Sequence, residues 1–106
     1  MTEFDNREKG FEAKFSHDEE TRFRIRAHRD KLLGLWAAQQ SGLSAAGAES
    51  YAKELVAADV GHREDELIAK VVADAKARGK TLDPQVVTRE LRRLEEVARV
   101  DVTGQK

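Results

Sequence analysis

Residues 63–84 read Arg63-Glu64-Asp65-Glu66-Leu67-Ile68-Ala69-Lys70-Val71-Val72-Ala73-Asp74-Ala75-Lys76-Ala77-Arg78-Gly79-Lys80-Thr81-Leu82-Asp83-Pro84, and this stretch decides the fold class. Leu67, Ile68, Val71, Val72 and Ala75 recur at spacings of one, four, five and eight residues, which places them on one stripe of an α-helix. Gly79 stands just past the last of them, where a left-handed residue ends a helix without a Cβ penalty. Asp83 then offers a carboxylate to the free amides of a new helix. Pro84 suits its first position, because the N–H it lacks would have no partner there.

The same grammar extends in both directions. Downstream, Val87, Leu91, Leu94 and Ala98 form the core face of a segment over 84–100. Upstream, Tyr51, Ala52, Leu55 and Val56 define a segment over 45–60, with Ser44 as N-cap and Gly42 and Gly61 as breaks. Ile25, Leu32, Leu33 and Trp36 share a face of a segment over 17–40. Four helical segments at 17–40, 45–60, 63–78 and 84–100 make an all-α four-helix bundle, one small domain in a chain of 106 residues. Of the 42 hydrophobic residues 15 are alanine, so the core is modest.

The N-terminus departs from this plan. Four of the six aromatic residues (Phe4, Phe11, Phe15 and Phe23) fall within the first 23 positions, among dense charge. Residues 1–20 hold seven acids against three bases, and residues 21–40 hold five bases (Arg22, Arg24, Arg26, Arg29, Lys31) against Asp30. A helix continued backwards would bring Phe4, Phe11 and Phe15 near the apolar face of the first segment, but Asp18, Arg22 and Arg29 interrupt that stripe. Ser16 and Glu19 match a capping box, so the packed helix is expected to begin near residue 17. Gly10 weakens any helix before it by about 1 kcal/mol relative to alanine. Residues 1–16 are therefore expected to be a mobile, conditionally helical arm that orders when a partner covers its phenylalanines. Residues 17–106 are the folded domain, and Phe23 belongs to that body or its basic shoulder.

Several chemistries are excluded. Without cysteine there is no disulfide framework, thiolate zinc site or cysteine nucleophile. His17, His28 and His62 lack ligand spacing, so no metal site is expected. The pairs Asp18/Glu20 and Glu64/Glu66 are two residues apart and point to different helix faces, which leaves no acid–base pair. Gly79-Lys80-Thr81 is not a phosphate loop, because Asp74 stands where the upstream glycine belongs and no strand precedes it. The chain is not read as an enzyme. Its start has no apolar signal-peptide core, and its apolar runs fall far short of a span. A soluble, cytoplasmic protein without membrane insertion is expected. A net charge of −1 argues against bulk nucleic-acid binding.

Two features remain as interaction sites. Arg22, Arg24, Arg26 and Arg29 read either as a solvated helix face or as a contact to phosphates or acidic protein. Phe4, Phe11 and Phe15, spaced by seven and four, read either as folding back on the bundle or as reserved for a partner.

The ordered combination across residues 4–38 resembles a known family. Phe4-Asp5-Asn6-Arg7-Glu8, Glu12-Ala13-Lys14-Phe15, then Asp18, Glu20 and Phe23, followed by Arg26-Ala27-His28-Arg29-Asp30-Lys31-Leu32-Leu33-Gly34-Leu35-Trp36-Ala37-Ala38, look like the signatures of the alphaproteobacterial ATP synthase zeta subunit. Ala58-Asp59 and Lys70-Val71 extend the likeness more weakly. Where the family usually reads Ala-Arg-Arg-Asn, this chain has Ala27-His28-Arg29-Asp30, one base fewer and one acid more. The link around Val60-Gly61-His62-Arg63 is shorter than the family's usual acidic loop.

The resemblance implies an inhibitor of ATP hydrolysis by the F-type ATP synthase catalytic head, cytoplasmic and held at the inner membrane through that enzyme. Its N-terminal segment would insert at a catalytic α/β interface near the γ shaft and block hydrolytic rotation. Phe4, Phe11 and Phe15 would be apolar anchors and Arg7, Glu8, Glu12 and Lys14 would set register, with Arg22, Arg26 and Arg29 as a secondary contact. The partners implied are the α, β and γ subunits, and the free protein would be a monomer. No cofactor is required, although the family is associated with weak adenine-nucleotide binding at residues the sequence does not identify. Two other classes fit the residues: a small helical nucleic-acid-binding module built on Arg22–Arg29, and a homodimeric scaffold whose phenylalanines pair between copies.

Overall fold

The described residues form four helices: α1 (Thr2–Gln40), α2 (Ala45–Asp59), α3 (Glu64–Ala77) and α4 (Pro84–Thr103). The computed structural model describes residues 2–61 and 63–104, with side chains from Glu19 onward. The helices form an all-α bundle in which α1 packs against all three others, most broadly against α2 and α4.

Each boundary has a local cause. α1 ends at Gly42, whose φ of 77° lets the Leu43 amide turn back to the Ala38 carbonyl at 3.0 Å. Ser44 caps α2 by accepting from the Gly47 amide at 3.1 Å. α3 opens with three acids in its first turn, where the helix dipole favours negative charge, and Glu66 accepts from the Arg63 amide at 2.9 Å. Gly79 (φ 80°) closes it, with the Lys80 amide donating to the Ala75 carbonyl at 2.9 Å. Asp83 caps α4 through the Gln85 amide at 2.8 Å, behind Pro84.

The expected faces meet in one core. Leu33 and Ala37 from α1, Tyr51 and Leu55 from α2, Leu67 and Val71 from α3, and Val87, Leu91 and Leu94 from α4 are buried together. Leu32, Trp36, Ile68 and Val72 pack at its margin. The seam between α1 and α2 is tight at Gly34, where a Cβ would lie 2.7 Å from the Ala52 Cα.

Three differences from the sequence reading carry physical content. The backbone of α1 is helical from Thr2, so Ser16 and Glu19 lie inside a helix rather than at its start; neither they nor Gly10 outweigh the strong helix formers around them. Ile25 is only partly buried, and the buried stripe of α1 is completed by Arg29, Asp30, Ala37 and Ala38. Asp59, rather than Val56, completes the buried set of α2. The side chains of residues 1–18, and with them the expectation of a mobile arm over 1–16, lie outside the described residues, as does His62.

Candidate protein-interaction site

The buried acids and arginine form one ion network that touches every helix. Arg26 of α1 grips Asp59 of α2 through one edge of its guanidinium, Nε to Oδ2 at 2.7 Å and Nη2 to Oδ1 at 3.0 Å. Arg29, only 4% exposed, donates through Nε to Asp30 at 3.0 Å and through Nη2 to Asp59 at 3.4 Å. Its Nη1 lies 3.4 Å from both Glu64 at the start of α3 and Glu95 of α4. Arg92 of α4 closes the circuit with two bonds to Glu64, at 2.6 and 2.8 Å. Among the described residues, no buried side-chain nitrogen or oxygen is left without a hydrogen-bond partner.

The network contains three arginines and four carboxylates, and its protonation resolves the mismatch. Burial and a hydrogen bond to Asp59 push the Asp30 carboxyl from its ordinary 3.8 up to about 8, against the pull of Arg29. Burial also pushes Asp59 upward, but the hydrogen bonds from Arg26 and Asp30 and both guanidinium charges hold it below the usual range. At neutral pH Asp30 is thus the proton donor of the pair and Asp59 the anion. Three positive charges then face three negative ones, as desolvated ions require. His28 contacts Asp101 of α4, Nε2 to Oδ2 at 2.9 Å. The upper part of α1 is thus tied to α2, α3 and α4 close to where α1 leaves the bundle toward its N-terminus.

Around this knot the surface has two characters. An open cleft of about 620 Å³ runs beside α1, with Arg22, Arg26 and Arg29 on one side and Arg63, Glu64 and Glu95 opposite. The three arginines singled out from the sequence are therefore neighbours, but Arg29 is inside the network and not on the surface. Arg24 pairs with Glu20 at 3.2 Å on the exposed face. On the other side of α1, Phe23 and Val60 are 62% and 63% exposed, and they line a cavity of about 200 Å³ with Ala27 and Val56. Phe23 therefore decorates the surface of the body and contributes nothing to its core. Phe4, Arg7, Glu8, Phe11, Glu12, Lys14 and Phe15 lie outside the described side chains.

A protein-family model described as ATPase inhibitor subunit zeta matches residues 1–101. The chain belongs to this family. No curated protein and no solved structure matches it significantly. The zeta-family match covers the N-terminal segment, the network and all but the end of α4. Sequence reading missed the zeta-family chain's buried acids, although a signal was present. Asp59 stands four residues after Leu55 and Arg29 four before Leu33, both in apolar register. Among the described residues, no cluster of three His, Cys, Asp or Glu side chains is placed to hold a metal ion. No helix among them is long and apolar enough to cross a membrane.

Proposed function

We propose that this chain inhibits ATP hydrolysis by the F-type ATP synthase catalytic head by inserting its N-terminal segment, residues 1–16, at a catalytic α/β interface near the γ shaft. The observation that carries this reading is membership of the inhibitor-subunit family over residues 1–101, a span that includes the segment. The architecture supports it physically. A single helix, α1, joins the segment to the body, and the ion network anchors that helix to the other three. Force from a turning rotor would thus be transmitted into the whole bundle rather than into a loose linker.

In this mechanism Phe4, Phe11 and Phe15 are the anchors, Arg7, Glu8, Glu12 and Lys14 set the register, and the γ subunit meets the inserted segment as an obstacle. Burying each phenylalanine contributes about 1.5–3 kcal/mol, so three can offset much of the ordering cost of the segment. Inhibition is mechanical. The chain performs no chemistry of its own and needs no cofactor, and its location follows from that of the ATP synthase. Arg22 lines the open cleft on α1 and would make the secondary contact, whereas Arg26 and Arg29 support it from within the ion network. The nucleic-acid reading is the weaker one, because Arg26 and Arg29 already hold carboxylates.

The test is deletion of residues 2–16 followed by an ATP-hydrolysis assay with the purified catalytic head. The truncated chain is expected to lose inhibition while keeping its helical circular dichroism. Undiminished inhibition by the truncated chain would overturn the assignment.

A further inference from the structure

The cavity beneath Phe23 continues along the α1–α2 seam. It shares Val56 and Val60 with a second depression of about 320 Å³, walled by Ala52 and Ala57 and flanked by Lys31 and Lys53. Together they form one trough whose exposed lining is mainly apolar, with Arg26, Asp30 and Asp59 of the ion network at its Phe23 end. Phe23 to Lys31 spans eight residues of α1, and Ala52 to Asp59 spans seven along α2, with Val60 just past its end. At the helical rise the walls are about 12 and 10.5 Å long, enough to seat two turns of a third helix. Val60 and Phe23 are two of the most exposed large apolar side chains among the described residues, and both stand on this trough.

The rim charge is also informative. Nearly every other basic side chain near the seam is spent: Arg24 on Glu20, Arg26 on Asp59, Lys70 on Glu54 and Asp74. Lys31 and Lys53 are exposed and form no ion pair among the described residues. The acid lining the same depression is Glu49, which leaves the rim with a net positive charge. An apolar floor between unpaired lysines is the pattern that receives an amphipathic helix with acidic flanks.

We propose that the Phe23–Val56–Val60 trough is a second docking site, which receives an acidic amphipathic helix on the outer surface of the same ATPase head that the N-terminal segment enters. The inference rests on the proposed inhibitory function and deepens it. Phe23 stands on α1, the same helix that carries the segment. Two sites on one chain make the second engagement intramolecular, which raises avidity without strengthening either contact.

The experiment uses the full chain. Val60→Glu, the double variant Lys31→Glu/Lys53→Glu, and Val86→Glu as an exposed control on α4 are titrated against the catalytic head at low and moderate salt. Val60→Glu is expected to raise the half-inhibitory concentration at least tenfold, with complete inhibition still reached at saturation. The lysine double variant is expected to raise it several-fold and flatten its salt dependence, and Val86→Glu to match wild type. Circular dichroism confirms that each variant is folded. Folded Val60→Glu and lysine variants that inhibit like wild type would overturn the trough while leaving the proposed function intact. A wild-type chain that does not inhibit would overturn the function itself, and the trough's occupant with it. Sedimentation showing a wild-type dimer that Val60→Glu dissolves would assign the trough to a second copy and refute the proposed occupant.

Discussion

Replacing Gly34 with alanine adds one methyl group at the tightest point of the bundle. The new Cβ would stand 2.7 Å from the Ala52 Cα and 3.3 Å from both the Ala52 nitrogen and Cβ. Carbon atoms rest about 3.5–4.0 Å apart, so the seam between α1 and α2 must open by roughly 1 Å. The obstruction is backbone, and no rotamer change relieves it. Overpacking of this kind costs about 1–3 kcal/mol, and a rigid backbone contact belongs in the upper part of that range. Alanine returns about 0.8–1.0 kcal/mol of helix propensity, which leaves a net loss of about 1–2 kcal/mol. Gly47 is the internal control. Its Cβ would meet nothing closer than 3.4 Å, so the same substitution gains propensity at no steric cost. Gly47→Ala is expected to stabilise by about 0.5–1 kcal/mol. Urea unfolding followed at 222 nm separates the two. With a slope of about 1–3 kcal/mol per molar, Gly34→Ala should lower the midpoint by about 0.5–1 M and Gly47→Ala should raise it. A Gly34→Ala midpoint at or above wild type would refute the close-approach argument, and with it the geometry of the trough that the seam creates.

The ion network predicts a pH signature. A carboxyl that titrates near 3.8 when unfolded and at about 8 when folded contributes its full stability at low pH and loses it progressively as pH rises through that window. Asp59 has the opposite sign, but its contribution is lost only as pH falls below the ordinary carboxylate range. Thermal unfolding of wild type should therefore weaken from pH 5 to pH 8.5 relative to Asp30→Asn, which keeps the hydrogen bonds without the proton. Parallel profiles would refute the shared proton. Arg29→Ala removes the buried guanidinium that bridges Asp30, Asp59, Glu64 and Glu95, leaves Asp59 and Glu64 to Arg26 and Arg92 alone, and should cost about 3 kcal/mol, a large part of a small domain's stability. Arg24→Ala, on the exposed Glu20 pair, should cost under about 1 kcal/mol, and denaturant midpoints for the two variants check both values.

Much of this fold is legible in the sequence, and the reason differs by element. On α4, Val87, Leu91, Leu94 and Ala98 are all buried as their spacing requires, because one helix facing one core is governed by its period alone. Ser44, Gly79 and Asp83 act as read, since caps are local chemistry. The network was not legible. Whether Arg29 is a solvated charge or a buried one depends on Asp59, 30 residues away on another helix, and on Glu64 and Glu95 beyond it. Charge at an apolar register position was visible, but its partners were not. Gly34 was equally silent, because a glycine within a helix gives no sign that a neighbouring backbone needs its space. Of the candidate site, Phe4, Phe11 and Phe15 could be singled out by spacing and resemblance, but their counterpart surface is on another molecule. Phe23 reads as part of the body or of its basic shoulder; it stands exposed on the shoulder, and only the fold shows Val60 brought alongside it by the turn after α2.

The carboxyl pair also changes what the protein is as an electrolyte. A formal charge of −1 and an isoelectric point near 6.3 treat every side chain as if it stood alone in water. With burial holding the Asp30 carboxyl up, the folded Asp30–Asp59 pair is expected to keep a proton at pH 7, and native electrophoresis should find the folded chain less negative than its composition states. Unfolding hands that proton to the solvent. The heat of unfolding then includes the buffer's own heat of protonation, and a calorimetric scan in phosphate will differ from one in Tris by about one proton's worth. The bundle melts, in effect, as a weak acid dissociates.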